Sequence, residues 1–415
     1  MLQRQRLLAL ILGCVLGCTG LPAYAAPQFE VLHTFAMPAG YDTPGENNPV
    51  IIESDGTIFG TTGGGPERDI RGSFYSLTPP AIDGDPWTYT LLRIFNDNVG
   101  FKPFGHLRRD RDGNYLGVTR SGGLHDGGTV FKLVRPQGSQ TRWSFQALRA
   151  FPRQKYQVPH GLVTDSAGMI YGTTGRALIY SLDPDTFRLT ILRDFNYPDG
   201  PIPISGLARG PGGVLYGTSY SGESKPGGVY SFAPPGPSNN RWTYRLLARF
   251  DEQFGPNGSG LIGGVTIGNN GELYGTTASG GIGYPGSGTV YQLLPPATPG
   301  GAWQRTIIYR FIPETGQESH ARPIVDANGA LYGGASRGGA HDRGVVYRLS
   351  PPVEPDAEWT YTVLHHFTGD EDGGTVRSQL TPGQDGALYG ITGTGGEGRG
   401  VVFRIKDSGF ATARR

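Results

Sequence analysis

The sequence predicts an all-β, seven-bladed β-propeller with four antiparallel strands per blade. Three observations carry this: a motif recurring seven times, four strand-like segments in each interval, and a lone strand at the start that belongs to no unit of its own. An aromatic residue or leucine followed by glycine anchors each unit, at Gly60 ("TIFGTT"), Gly117 ("NYLGVT"), Gly172 ("MIYGTT"), Gly217 ("VLYGTS"), Gly275 ("ELYGTT"), Gly333 ("ALYGGA") and Gly390 ("ALYGIT"). Successive anchors lie 57, 55, 45, 58, 58 and 57 residues apart. Such repetition marks an architecture whose units bury their faces only against neighbours.

Within a unit the segments follow in order. Strand A ("GLVTD") ends in a D-x-x-G-like turn, and strand B carries the anchor. A Gly-rich turn leads to strand C ("TVFKL", "GVYSF", "VVYRL"), and a Pro-containing turn leads to strand D ("WTYTLLRIF", "WTYRLLARF", "WTYTVLHHF"). Short segments with alternating apolar residues, bounded by turn formers, are strands. Helical periodicity is absent beyond the first 25 residues. The mature chain opens on a D strand, "FEVLHTF", and closes on a C strand, "VVFRI". The first D strand should therefore complete the last blade and close the ring, removing the open sheet edges.

The 415 residues include 69 Gly and 33 Pro, interleaved with aromatic and aliphatic residues, so this load reads as turns between strands. The net charge of +1 argues against nucleic acid, which requires a broad basic face. Residues 1–25 read as a signal peptide: Arg4 and Arg6 precede the apolar run "LLALILGCVLGC", and Ala23 and Ala25 set a cleavage site before Ala26. The expected location is thus secreted or periplasmic. Both cysteines, Cys14 and Cys18, fall inside this segment, leaving no thiol chemistry in the mature chain. "VLGC" also resembles a degenerate lipoprotein box, which would make Cys18 a lipid acceptor. Residues 26–407 form the propeller and 408–415 a C-terminal tail. No transmembrane segment is expected, and a monomer is.

The unit "VLHHF…GALYGxTGG…GVVFRI" resembles the GloVer tandem repeat, first noted in Gloeobacter and Verrucomicrobia. The resemblance covers nearly the whole mature chain. It implies the repeat architecture and says little about activity. Blade 3 departs from it, because "GTTGRALIYSL" lacks the long B–C turn, which accounts for the 45-residue spacing.

In a propeller the D–A connections and B–C turns share one face, around the mouth of an axial channel. His33, His365 and His366 lie on outer D strands and read as structural. The other five histidines map towards the mouth. His125 and His341 sit in "GGxHDxG" turns, where loop grammar alone explains them. Blades 2–4 offer more. His106 and His160 start strand A of blades 2 and 3, Arg120 and Arg176 enter the B–C turns, Arg153, Lys155 and Tyr156 lie in a D–A loop, and Tyr220 opens the turn of blade 4. Cations and imidazoles gathered locally in a near-neutral chain suit an anionic ligand.

β-Elimination on a uronate sugar uses these groups. An Arg neutralises the C5 carboxylate, a His or ionised Tyr takes the C5 proton, and a second His or Tyr protonates the leaving C4 oxygen. Neither metal nor other cofactor is required. A weaker resemblance, to secreted seven-bladed ulvan lyases and related polysaccharide lyases, points the same way. It implies His106 or His125 as base, Tyr156 or Tyr220 as proton donor, and Arg120 or Arg176 on the carboxylate. His160, Arg153 and Lys155, from the same sector of the mouth, read as further substrate contacts. Tyr171 is an alternative, but its place in the repeat suggests packing. Asp42 and Glu46 form one acidic loop, at most a weak Ca²⁺ site, with no opposing carboxylates for hydrolysis. Blade 6, with His320, His341, Arg337 and Arg343, is a rival site. Two readings remain open: a polysaccharide lyase acting on an acidic, ulvan-like glycan, and a non-catalytic propeller that binds glycan or protein at the cell surface.

Overall fold

The computed structural model describes residues 26–36, 48–63, 71–153, 158–175, 178–195, 202–220, 227–237, 240–250, 255–282, 286–298, 300–354 and 357–412. Their regular structure is β apart from one 3₁₀ turn, Pro211–Gly213. Seven antiparallel sheets follow one another along the chain, each ordered A-B-C-D, with strand A of blade 4 split into Ile202–Pro203 and Ala208–Arg209. Blade 2, for instance, comprises Phe101–Arg109, Tyr115–Ser121, Asp126–Val134 and Ser144–Pro152.

Blade 7 is built from both ends of the chain, as the lone D strand implied. Gln28–Ala36 pairs with Gly398–Lys406, with Gln28 opposite Lys406 and Ala36 opposite Gly398. Arg404 donates to Glu30 through Nη2 at 2.6 Å and Nε at 3.2 Å. Two histidines lock this strand to its neighbours. His365 of blade 6 stacks on Phe29 with centroids 3.8 Å apart, and His33 stacks on Tyr89 of blade 1 at 4.5 Å. Burial holds His33 down to about 4, so it packs as a neutral ring. His366 accepts the Ala340 N–H through Nδ1. These three histidines are packing and loop elements, as read from their strands.

The anchor glycines have a common steric cause. Each pairs in register with the central aromatic of strand C: Gly60 with Tyr75, Gly117 with Phe131, Gly172 with Tyr180, Gly217 with Tyr230, Gly275 with Tyr291, Gly333 with Tyr347 and Gly390 with Phe403. The ring lies across the glycine, and a Cβ there would fall well inside contact distance of it. These rings are fully buried and feed cores shared between adjacent blades. Gly275→Ala is therefore expected to cost about 1–3 kcal/mol by overpacking. Tyr291→Phe should be neutral or stabilising, since among the described residues its buried hydroxyl has no partner, and Phe131 and Phe403 fill the same place in blades 2 and 7. Chemical denaturation of both variants checks the pair.

The repeated "HD" turn is settled similarly. Asp126 and Asp342 both take a left-handed backbone (φ 55° and 53°), and their Oδ1 atoms accept the N–H of Gly122 and Gly338. The aspartate shapes the turn, and His125 and His341 stand exposed beside it. The segment after the last strand folds back on the ring: Phe410 packs on Tyr332, and the Ala411 N–H donates to Asp326.

Candidate functional site: a cationic pocket at the channel mouth

Three consecutive blades frame a pocket of about 650 Å³ at the mouth of the channel. Blade 2 contributes Lys102, Arg120 and Ser121, blade 3 Val158, His160 and Gly175, and blade 4 Ile202, Ile204 and Tyr220. Its size is that of a small-ligand site. No carboxylate is among these residues, so the described wall is cationic and apolar. A second hollow of about 550 Å³ shares Arg120, Ser121 and Val158 and runs outwards past Arg71, Asp97, Asp126 and Arg153. There the charges are matched: Arg71 pairs with Asp97 at 2.5 Å and Arg153 with Asp126 at 2.8 Å.

Local packing positions the polar groups. The Arg120 guanidinium lies over the Phe104 ring, 4.0 Å from its centroid, a cation–π contact that helps fix the side chain. Phe104 in turn meets the His160 ring at 5.8 Å. His160 Nδ1 lies 3.0 Å from the Ile204 carbonyl, so this nitrogen carries the proton and donates. Nε2 is left with its lone pair. It faces the backbone of Gly175, where an added Cβ would stand 2.7 Å from it. Burial, then the neighbouring Arg120 charge, lowers the imidazole to about 4, so His160 is neutral at pH 7. Tyr220, at the end of Leu215–Tyr220, is 54% exposed and lines the pocket.

The structure brings Arg120, His160 and Tyr220 together, and it separates the two histidines of blade 2 from them. His106 points into the channel below the pocket, where burial and the charges of Arg322 and Arg108 hold it neutral. His125 is exposed on the outer turn, and its carbonyl accepts the Arg153 N–H. Neither lines the pocket. Arg153 faces Asp126 in the outer hollow. Lys155, Tyr156 and Arg176 lie outside the described residues, as do Asp42 and Glu46. Tyr171 bonds Asp165 and packs on Trp242, away from the pocket, in keeping with a packing role.

Blade 6 is not equivalent. Arg337 lies 3.5 Å from Glu318 and 3.8 Å from Asp342, which offset its charge. His320 bonds Ser336 through Nδ1 at 3.2 Å and, like His106, lines the channel, while His341 and Arg343 are exposed. Motif reading passed over Lys102 and Gly175, which line the pocket, and Phe104, which packs under Arg120 and against His160. Among the described residues no group of three or more metal-ligating side chains gathers, and no helix is long and apolar enough to cross a membrane.

Fold and pocket together define a closed seven-bladed propeller with a cationic pocket at the channel mouth. The chain belongs to the Gloeobacter/Verrucomicrobia repeat family, whose model matches residues 142–299 and 283–414. No curated protein matches it. Among solved structures it is similar to virginiamycin B lyase from Staphylococcus aureus, with 12% identity and a TM-score of 0.54 over 91% of this chain and 98% of that one. It is also similar to PorZ, a surface component of the type-IX secretion system of Porphyromonas gingivalis, with 15% identity and a TM-score of 0.50 over 91% of this chain and 49% of that one. At these identities the likeness concerns the fold alone.

Proposed function

We propose that the mouth pocket binds the uronate unit of an acidic polysaccharide outside the cytoplasm and cleaves the chain there by β-elimination. The observation that carries this is the convergence of Arg120, His160 and Tyr220 on one pocket whose described wall holds no carboxylate. Arg120, backed by Lys102, pairs with the C5 carboxylate and takes up the charge that develops as the C5 proton leaves. His160 Nε2 accepts that proton. The released electron pair forms the C4–C5 double bond, the C4–O bond breaks, and the departing oxygen takes a proton from Tyr220 Oη. The low basicity of His160 is partly Arg120's doing. A bound carboxylate beside Arg120 offsets the field that its charge exerts on His160 and raises the imidazole's proton affinity when the base is needed.

One observation favours the second reading, a propeller that binds its glycan without cleaving it: the pocket holds a single imidazole, since His106 and His125 lie elsewhere. A panel of ulvan, glucuronan and related polymers separates the two. The lyase reading expects ultraviolet-absorbing unsaturated uronate from at least one polymer, with Tyr220→Phe cutting turnover by about 10²-fold or more. Binding without any unsaturated product supports the second reading, and neither binding nor product overturns both. Gly175→Ala serves as a finer probe. Its methyl group would cover Nε2 and leave Arg120 untouched, so turnover should collapse while calorimetric affinity for the polymer stays within a few-fold.

A further inference from the structure

Below the mouth, the innermost segments of blades 2 to 7 enclose a cavity of about 70 Å³ on the propeller axis. Arg108, Arg322 and Arg377 line it, together with His106, His320 and Gln379, and no aspartate or glutamate does. The hollow at the opposite mouth, about 340 Å³, adds Arg209 to Arg108 and Arg322, again without a carboxylate. Positive side chains thus recur along the channel, and no carboxylate is among the residues that line either hollow.

The two guanidiniums that span both hollows are held only by neutral acceptors. Arg322 donates through Nε to Gln379 Oε1 at 3.1 Å and through Nη1 to the Val265 carbonyl at 3.0 Å. Arg108 donates through Nε to the Leu162 carbonyl at 3.5 Å. Neither makes an ion pair among the described residues. Burial chiefly, and then Arg108's charge, push Arg322 down to about 9. Confined like charges are costly unless paired, and arginine seldom escapes by losing its proton. A counter-ion is the remaining remedy. One water needs about 10–15 Å³ of cavity, so this one accommodates a four-oxygen anion and excludes a polymer chain. Planar guanidinium forks converging from different blades match such an anion.

We infer that the axial channel is a binding site for a small oxyanion of the phosphate or sulfate class, clamped by Arg108, Arg322 and Arg377. The site is separate from the glycan pocket: its arginines line the axis, Arg120 lines the mouth, and only His160 and Ile204 border both. An anion there would tie blades 2, 6 and 7 together at the centre of the ring.

The test is thermal unfolding of the full chain against inorganic phosphate, with sulfate in parallel and ionic strength held constant by a chloride salt. A saturable rise in Tm following a one-site curve is expected. Arg322→Gln and Arg108→Gln should each move its half-saturation at least tenfold, and Arg120→Gln should leave it in place. If one channel variant fails to fold, the other, or Arg377→Gln, carries the comparison. Glucuronate, titrated in the same way, should respond to Arg120→Gln and not to Arg322→Gln. No saturable phosphate or sulfate response, or one that follows Arg120 instead of the channel arginines, overturns the inference. Those results leave the glycan reading standing, and a missing glucuronate response leaves the channel site standing.

Discussion

Deleting residues 26–36 should yield a protein that does not fold to a closed ring and accumulates as aggregate. The strand Gln28–Ala36 supplies Leu32 and Phe35 to the core between blades 7 and 1, at 6% and 1% exposure. Truncating either to alanine costs about 2–5 kcal/mol by the large-to-small rule. Losing both approaches the whole net stability of an ordinary domain, about 5–15 kcal/mol. Deletion also strips the pairing from Gly398–Lys406, a nine-residue strand with buried Val401, Val402 and Phe403, and leaves an adhesive edge. The fraction of soluble protein and its sedimentation profile report the outcome. Phe35→Ala, a milder lesion, should remain soluble with a clearly lowered Tm.

A second large effect is expected in mild acid. His33 and His160 are held down to about 4 and His106 well below its ordinary value, in each case chiefly by burial. The native state keeps these rings neutral, whereas the unfolded chain protonates them from about pH 6.5 downwards. Their contribution is therefore fully present above about pH 6.5 and is lost as the pH falls towards 4. At 1.36 kcal/mol per pH unit, His160 alone forfeits about 2–3 kcal/mol by pH 4.5. His33 forfeits less, because its ring is only partly shielded from solvent. Tm measured from pH 8 to pH 4.5 should fall steadily below 6.5, and His160→Gln should flatten part of that slope. A Tm that stays level across the window would contradict the neutral-histidine packing.

The repeat made the blades legible because its cause is steric and local. A strand B glycine under a strand C aromatic leaves a two-letter trace, and Gly60 over Tyr75 reads the same as Gly390 over Phe403. Ring closure was legible from the orphan strand "FEVLHTF", since only a C strand lacking a partner could receive it. The mouth was legible in part. Arg120 and Tyr220 open Gly-rich turns and His160 starts a strand, positions that topology assigns to one face. Whether a strand A side chain looks up into the mouth or sideways into the tunnel depends on twist, which spacing does not record. That is why His106 parts company with His160.

The channel arginines were hidden for a different reason. "HLRRD", "HARPI" and "VRSQL" look like solvated surface when read one unit at a time. Their signal is the period of two on the innermost segments, which sends His106 and Arg108, His320 and Arg322, and Arg377 and Gln379 towards the axis. Stacking the strand A segments of all seven units, in place of reading each turn by itself, would have exposed it.

The most direct measurement is a crystal structure of the Tyr220→Phe protein with a uronate oligosaccharide bound. The account predicts one sugar carboxylate on the Arg120 guanidinium, with C5 of that sugar facing His160 Nε2 above Gly175. Sugar density settled on blade 6 or on the outer D strands, with the blade 2–4 pocket filled by solvent, would contradict it.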